Sequence, residues 1–217
     1  MKILKFSHIT KTAGSTIVWI AHLDNVKWGW GDEQFWKNLI VSSRYKYKGC
    51  IWHFPISFCE NKLLNETLLK YNFFTVVRNP YERCISEYYC KWGGPEIKSK
   101  EKKDFNSYIQ KNLIDIKNFK FTSGHFIPQF FYAYDENNKR IIEDVLKYEN
   151  IETEFNNLMN KYNYKFKFFY DKNKNLIKKF KQCDFSKETI KLIQEVYYKD
   201  FIFFNYDLEP VINTCDF

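Results

Sequence analysis

The amino-acid sequence predicts one α/β domain over residues 1–217, with a central, mostly parallel sheet flanked by helices. Three observations carry that expectation. Short apolar segments alternate with segments whose apolar residues recur at helical spacing, the order of strands joined by crossover helices. Phe73-Phe74-Thr75-Val76-Val77 is short, apolar and partly β-branched, as a strand buried on both faces should be. No internal repeat or linker-like stretch divides the 217 residues, which suffice for one substantial core.

Composition narrows the class further. Hydrophobic residues make up 45% and aromatics 20%, so the chain is expected to fold rather than stay disordered. The net charge of +8 suits an anionic ligand such as a nucleotide, an acidic glycan or a nucleic acid. Much of that charge has a plainer origin. Thirty Lys against four Arg, with abundant Asn, Ile, Phe and Tyr, is the bias of an AT-rich genome, such as that of a large DNA virus or a microbe. The arginines are therefore the telling cations, and Arg78 and Arg83 fall in one six-residue stretch. The lysines are scattered and no nucleic-acid reading motif accompanies them, so no nucleic-acid partner is expected.

Met1 to Ile9 reads as a strand followed at once by polar Thr10, Lys11 and Thr12, which is not a secretory signal. No apolar run approaches the roughly 20 residues of a membrane span. A soluble, cytoplasmic protein is expected, with a trimmed luminal domain as the alternative. The six cysteines, at positions 50, 59, 84, 90, 183 and 215, show no CxxC and no zinc spacing. Free thiols and no metal are expected, although the even count leaves disulfides open.

In chain order, Lys2 to Ile9 is the first strand. Ser15 to Leu23 sets Ile17, Ile20 and Ala21 on one helical face. Residues 25–48, rich in Trp, Gly and Lys, lack a period and read as an irregular excursion near the site. Gly49 to His53 reads as a second strand ended by Pro55. After Phe73 to Val77, Asn79 is a helix N-cap and Pro80 the first helical residue. Ile85, Tyr88, Tyr89 and Trp92 give that helix its apolar face, and Gly93-Gly94-Pro95 stops it. Residues 96–103 form a charged loop, and Phe105, Tyr108, Ile109 and Leu113 mark another helix. Asp144 to Tyr148 reads as a strand before a helix through Phe155, Leu158 and Met159. Lys165 to Tyr170 reads as a strand followed by a turn at 171–175. Ser186 caps a final helix carrying Ile190, Ile193, Val196 and Tyr197.

Two segments carry chemistry. His8-Ile9-Thr10-Lys11-Thr12-Ala13-Gly14-Ser15-Thr16 leaves a strand and enters a helix, where free backbone N–H groups and the helix dipole favour an anion. Gly14 lets the backbone come close, Lys11 adds a point charge, and Thr12, Ser15 and Thr16 add hydroxyls. The order differs from G-x-x-x-x-G-K-[ST], which speaks against an ordinary kinase or ATPase. In the second segment, Val77 to Ser86, Arg78 ends the best strand, where open α/β sheets bind ligands. Ser86 lies about two turns into the following helix. A guanidinium and a hydroxyl suit a second phosphate. Plainer readings stand beside these: a capped turn with a solvated Lys11, and an Arg78 paired with Glu82 or Glu87 while Ser86 merely packs. Two anion grips on one sheet nonetheless point to a doubly phosphorylated nucleotide.

At these residues the sequence resembles the sulfotransferases that use 3′-phosphoadenosine-5′-phosphosulfate (PAPS). It is most similar to the carbohydrate branch that includes the heparan and dermatan 2-O-sulfotransferases, of sulfotransferase family 2 type. That family opens with H-I-P-K-T-[AG]-G-[ST]-[ST] and carries R-[ND]-P-x-[ED]-R-x-x-S-x-Y after a central strand, matching His8 to Thr16 and Arg78 to Tyr88. Looser matches follow in order: Trp52-His53-Phe54-Pro55, His125 to Gln129, Val145 to Asn150, and Tyr198 to Tyr206. The resemblance spans residues 1–207. Thr10 replaces the usual Pro, and Trp52 stands where a glycine often precedes the histidine.

The resemblance implies the sulfotransferase fold and in-line transfer of a sulfuryl group from PAPS to an acceptor hydroxyl, most simply on a glycan or glycoconjugate. Adenosine 3′,5′-bisphosphate (PAP) is the implied product, and no metal is required. The 5′-phosphosulfate falls to Lys11, Thr12, Ala13, Gly14, Ser15 and Thr16, and the 3′-phosphate to Arg78 and Ser86. His53 is the implied base, and Lys11 stabilises charge on the bridging oxygen. Among the other histidines, His8 reads as support for the loop, His22 as surface or packing, and His125 as a group that positions the acceptor or a neighbouring loop. Trp28 and Trp30 read either as a sugar platform or as loop packing, and Lys172 and Lys174 as solvated surface. The competing readings are a P-loop kinase-like phosphotransferase and a non-catalytic nucleotide- or anion-binding protein. The acceptor and the oligomeric state are not legible.

Overall fold

The computed structural model describes residues 2–39, 42–92, 101–169 and 180–211. Three parallel strands, β1 (Ile3–Ser7), β2 (Tyr71–Val77) and β3 (Asp144–Lys147), lie side by side in that order. Ile3 pairs with Tyr71 through Ser7 with Thr75, and Phe74 with Asp144 through Val77 with Lys147. The central strand alternates as a two-sided strand must. Phe73 and Val77 enter one apolar cluster, and Phe74 and Val76 enter the other.

Helices cover both faces. On the Phe74 side lie α1 (Gly14–Leu23) and, after β3, a helix at Ile151–Lys161. The helices between β1 and β3 are α2 (Glu33–Lys37), α3 (Asn61–Lys70), α4 (Pro80–Tyr88), α5 (Lys102–Lys117) and α6 (Phe130–Ala133). The Ile151–Lys161 helix is α7, followed by α8 (Lys187–Val196) and α9 (Tyr198–Phe203). The Phe73 side is packed by α4, α5, α8 and α9 through Tyr81, Phe105, Ile193 and Phe201.

Local chemistry explains several boundaries. The Asn79 side chain accepts from the N–H groups of Tyr81 and Glu82, and Pro80 opens α4, as an N-cap followed by N1 proline should. The Ser186 hydroxyl accepts from the Thr189 N–H and caps α8, although α9 rather than α8 is the last described helix.

Three expectations need correction, and one helix went unread. Gly49 to His53 is not a strand. Ile51–His53 is a 3-10 turn closed by the His53 N–H on the Cys50 carbonyl, and Gly49 is wedged against Tyr47 and the Gly124 backbone. Residues 165–169 carry no ladder. Phe166 and Phe168 alternate because the extended segment is half buried against α7 and Trp28, and the Phe168 N–H donates to Asn156 instead of a strand. Helix α3 went unread, although Leu64 and Thr67 are buried on one face with Leu63 and Leu68 beside them. Trp92 lies beyond α4 and is exposed, so it is no part of that helix's apolar face. Gly93-Gly94-Pro95, most of the 96–103 loop, Tyr170, the 171–175 turn with Lys172 and Lys174, and Cys215 lie outside the described residues.

Candidate active site

The C-terminal ends of all three strands meet at one edge. From β1 the chain enters residues 8–13, where Lys11 (φ 65°) and Ala13 (φ 67°) both take the left-handed conformation. Each costs a non-glycine residue roughly 1 kcal/mol or more, so the surrounding contacts must impose it. The Thr12 hydroxyl does part of this by donating to the Ile9 carbonyl at 2.9 Å. Thr12 is fully buried, so its hydroxyl shapes the loop rather than facing a ligand. Ala13 caps α1 with no side-chain hydrogen bond. The first-turn N–H groups of Gly14, Ser15 and Thr16 thus have no side-chain cap, the state in which a helix start can take an anion. The Lys11 ammonium has no hydrogen bond or ion pair among the described residues.

Gly14 has a second reason to be glycine. A Cβ there would lie 1.8 Å from Nε2 of His8. The His8 ring is buried beneath the loop, stacked on Phe6 and edge-on to His53 with ring centres 4.3 Å apart. Burial, aided by His53 and His125, holds His8 well below the usual histidine range, so it is neutral.

Arg78 leaves β2 at the same edge. Its guanidinium is stacked 4.2 Å from the Tyr148 ring centre. Nη1 donates to the Lys11 carbonyl at 3.4 Å and Nη2 reaches Glu82 at 3.5 Å, both long contacts. The buried Nε has no partner. Glu82 does pair with Arg78, as the plainer reading held, yet that contact leaves donor capacity over. Ser86 is buried in the last turn of α4.

His53 reaches the edge from its 3-10 turn. The Tyr132 hydroxyl donates to its carbonyl at 2.6 Å, and Gly124 packs so closely that a Cβ would lie 2.3 Å from the Cβ of His53. Nδ1 of His53 lies 3.2 Å from the His8 carbonyl. Only Nδ1–H can donate there, so the neutral ring keeps its lone pair on Nε2. Burial pushes the ring down to about 4, against the upward pull of the His8 carbonyl. His125 lies 6.4 Å from His53, ring centre to ring centre, and its Nδ1 is 2.6 Å from Glu87. Glu87 is buried with Arg83 at 3.9 Å and the Thr10 hydroxyl on its carboxylate. Burial alone would raise its carboxyl, but His125, Arg83 and Thr10 together hold it below the usual range.

The loop of Lys11, the strand end of Arg78 and three histidines therefore share one sheet edge. The Sulfotransferase family model matches residues 4–207 of this chain. The chain belongs to the sulfotransferase family. No curated protein and no solved structure matches it closely enough to add a relative. Family membership sets sulfuryl transfer as the reaction class of this sulfotransferase, and the three-stranded parallel sheet between helices agrees with the family's fold.

The fold brings Lys11, Gly14, Ser15, Thr16, Arg78 and His53 to this edge, leaves Ser86 in the last turn of α4, and sends His22 to the exposed end of α1. It separates the two tryptophans of the 28–31 stretch. Trp28 is buried and its indole N–H donates to the Leu4 carbonyl at 2.9 Å. Trp30 is 42% exposed beside His8. Sequence reading missed Glu87, Arg83, Gln129 and Asp200 as site supports. Only the arginine pair and the loose matches around Gln129 and Asp200 pointed their way.

Glu87, Cys90 and His125 bring three possible ligand atoms within 4.8 Å of one another, a grouping that sequence spacing did not reveal. The Arg83 guanidinium beside Glu87 opposes a cation there, and the carboxylate is already engaged. Among the described cysteines, Cys50, Cys59 and Cys84 are free, and Cys183 is disulfide-bonded, so of the two states the sequence left open the disulfide is realised at Cys183. Among the described residues, no helix is long and apolar enough to cross a membrane.

Proposed function

We propose that this sulfotransferase moves the sulfuryl group of PAPS to a hydroxyl of a carbohydrate acceptor, a glycan or glycoconjugate, with His53 as base and PAP as product. One observation carries the reading. The Arg78 guanidinium touches the carbonyl of Lys11, so two anion grips adjoin, and the His53 ring with its free Nε2 is hung from the same loop through His8. The unpartnered Arg78 Nε and the uncapped start of α1 fit a ligand with two phosphate groups.

The donor supplies a sulfuryl group on a good leaving group. The N–H groups of residues 14–16, with the Ser15 and Thr16 hydroxyls, cradle its 5′ end. The peptide groups of Thr12 and Ala13 shape that cradle. Arg78 and Ser86 hold the 3′-phosphate. His53 Nε2 accepts the proton of the acceptor hydroxyl as the oxygen–sulfur bond forms. Lys11 stabilises the electron pair left on the 5′-phosphate oxygen as its bond to sulfur breaks, acting in a preorganised site. His8 stays neutral and orients His53 through its carbonyl.

The test is calorimetric titration of the protein with PAP beside ADP and ATP, without added metal. Tight binding of PAP that is lost in Arg78→Ala supports the reading. No binding of PAP together with magnesium-dependent binding of ATP overturns it in favour of kinase-like chemistry.

A further inference from the structure

Arg78 is held unevenly. Its side-chain contacts to Lys11 and Glu82, at 3.4 and 3.5 Å, are at the limit of hydrogen-bond reach. Its backbone is gripped far better. β2 pairing ends at Val77, so the Arg78 N–H and C=O have left the ladder and need other partners. One buried side chain supplies both. Gln129 Oε1 accepts from the Arg78 N–H at 2.8 Å, and Gln129 Nε2 donates to the Arg78 carbonyl at 2.8 Å. The carboxamide stands in for a neighbouring strand.

The carboxamide is itself fixed. Asp200 Oδ2 accepts from the Gln129 N–H at 2.9 Å and from Gln129 Nε2 at 3.3 Å, while Oδ1 accepts from the Phe130 N–H at 2.7 Å. A flipped carboxamide would set its oxygen against that carboxylate, so only one orientation is tolerated. Gln129 and Asp200 are fully buried. Among the described residues, the Gln129 carboxamide bonds the Arg78 peptide group and Asp200.

We propose that Gln129, locked by Asp200, is a positioning residue that aims Arg78 at the 3′-phosphate of the donor. The inference rests on the assignment of Arg78 to that phosphate. It makes the recognition of a 3′-phosphate depend on a side chain 51 residues away in sequence.

The test compares the dissociation constants of PAP and 5′-AMP, which differ only by the 3′-phosphate, measured by calorimetry. Gln129→Met is expected to weaken PAP by roughly 10- to 100-fold while leaving 5′-AMP unchanged, because a small misplacement of a fixed group is costly. In an Arg78→Ala background the same substitution should add nothing. A wild-type protein that does not prefer PAP over 5′-AMP overturns the assignment of Arg78 itself. A wild-type preference that survives Gln129→Met, or an equal loss for both nucleotides, overturns the positioning role alone. Should Gln129→Met not fold, Asp200→Asn keeps Gln129 in place, loosens its carboxamide and must shift the same ratio in the same direction. A lowered Tm with the ratio intact marks a merely structural clamp and overturns the proposal.

Discussion

The Thr10 hydroxyl donates to one carboxylate oxygen of Glu87, 77 residues further along the chain. The other oxygen holds Nδ1 of His125. Arg83, one turn back on α4, donates through Nε to the Thr10 carbonyl and through Nη1 to the Ile127 carbonyl. The loop proposed to cradle one phosphate is thereby bolted to α4, the helix that carries Ser86. Thr10, a departure from the family's usual proline, is the residue that makes the bolt.

Thr10→Val removes that hydroxyl at nearly constant shape and strips a buried carboxylate of one donor. A loss of about 1–3 kcal/mol is expected, read from urea denaturation, with Thr10→Ser retaining most of it. Equal stability of Thr10→Val and wild type would rule out the role assigned to this bond.

Gly14→Ala is expected to cost about 1–3 kcal/mol through overpacking, because its Cβ would lie 1.8 Å from His8 Nε2. The His8 ring must then move, carrying with it the carbonyl that orients His53, so turnover falls as well. An unchanged melting temperature with full activity contradicts this packing.

His53→Ala removes the proposed base. Turnover should fall by roughly 100- to 10,000-fold, the usual worth of a positioned base, while PAP affinity stays as in wild type. Full turnover in this variant would transfer the role to another group and leave the family assignment untouched.

Lys11→Ala should bind PAP and yet lose on the order of 100-fold or more in turnover, as removal of a preorganised charge-stabilising donor does. Single-turnover kinetics at saturating donor separate the two effects. A pure rise in donor requirement, with turnover intact, would reduce Lys11 to a binding residue.

Acid should weaken the fold earlier than the carboxylates alone would dictate. His53 titrates at about 4, and His8 also lies well below its ordinary value, both chiefly through burial. Unfolded histidine titrates near ~6.5, so between the two values the unfolded chain binds more protons and stability falls as pH drops through that window. His53 alone contributes on the order of 3 kcal/mol at neutral pH. Asp200, raised to about 6 by burial, has the opposite sign and offsets part of the loss. The urea midpoint should therefore decline between about pH 6.5 and pH 5, and less steeply in His53→Gln. Identical profiles for wild type and His53→Gln would show that the His53 ring is not held neutral by the fold.

The sheet edge where Lys11 and Arg78 meet was legible because its signals are local. A strand, a lysine loop and a helix start follow one another at 3–23, and an arginine, an N-cap and a proline follow one another at 77–80. The supports were not, because they are set by distance in sequence. Glu87 reads as an alternative partner for Arg78 until the fold sets it against Thr10, Arg83 and His125, and Gln129 reads as part of a loose match until it meets the Arg78 peptide. His53 was placed at the right edge for a mistaken reason, since it arrives on a 3-10 turn and not at a strand end. Trp28 was unreadable for a related cause, as indole rings serve cores and sugar sites equally well.

That tryptophan has a consequence for how copies of the chain meet. Among the described residues β1 pairs with β2 alone, so its other margin is where a foreign strand would zip on. There the Trp28 indole already occupies the Leu4 carbonyl, and Lys5 is tied to Asp32 just beyond. The acceptor that strand addition requires is taken and a charged pair guards the approach. At this margin of β1 one backbone acceptor is thus withdrawn from strand addition by an indole, with an ion pair beside it.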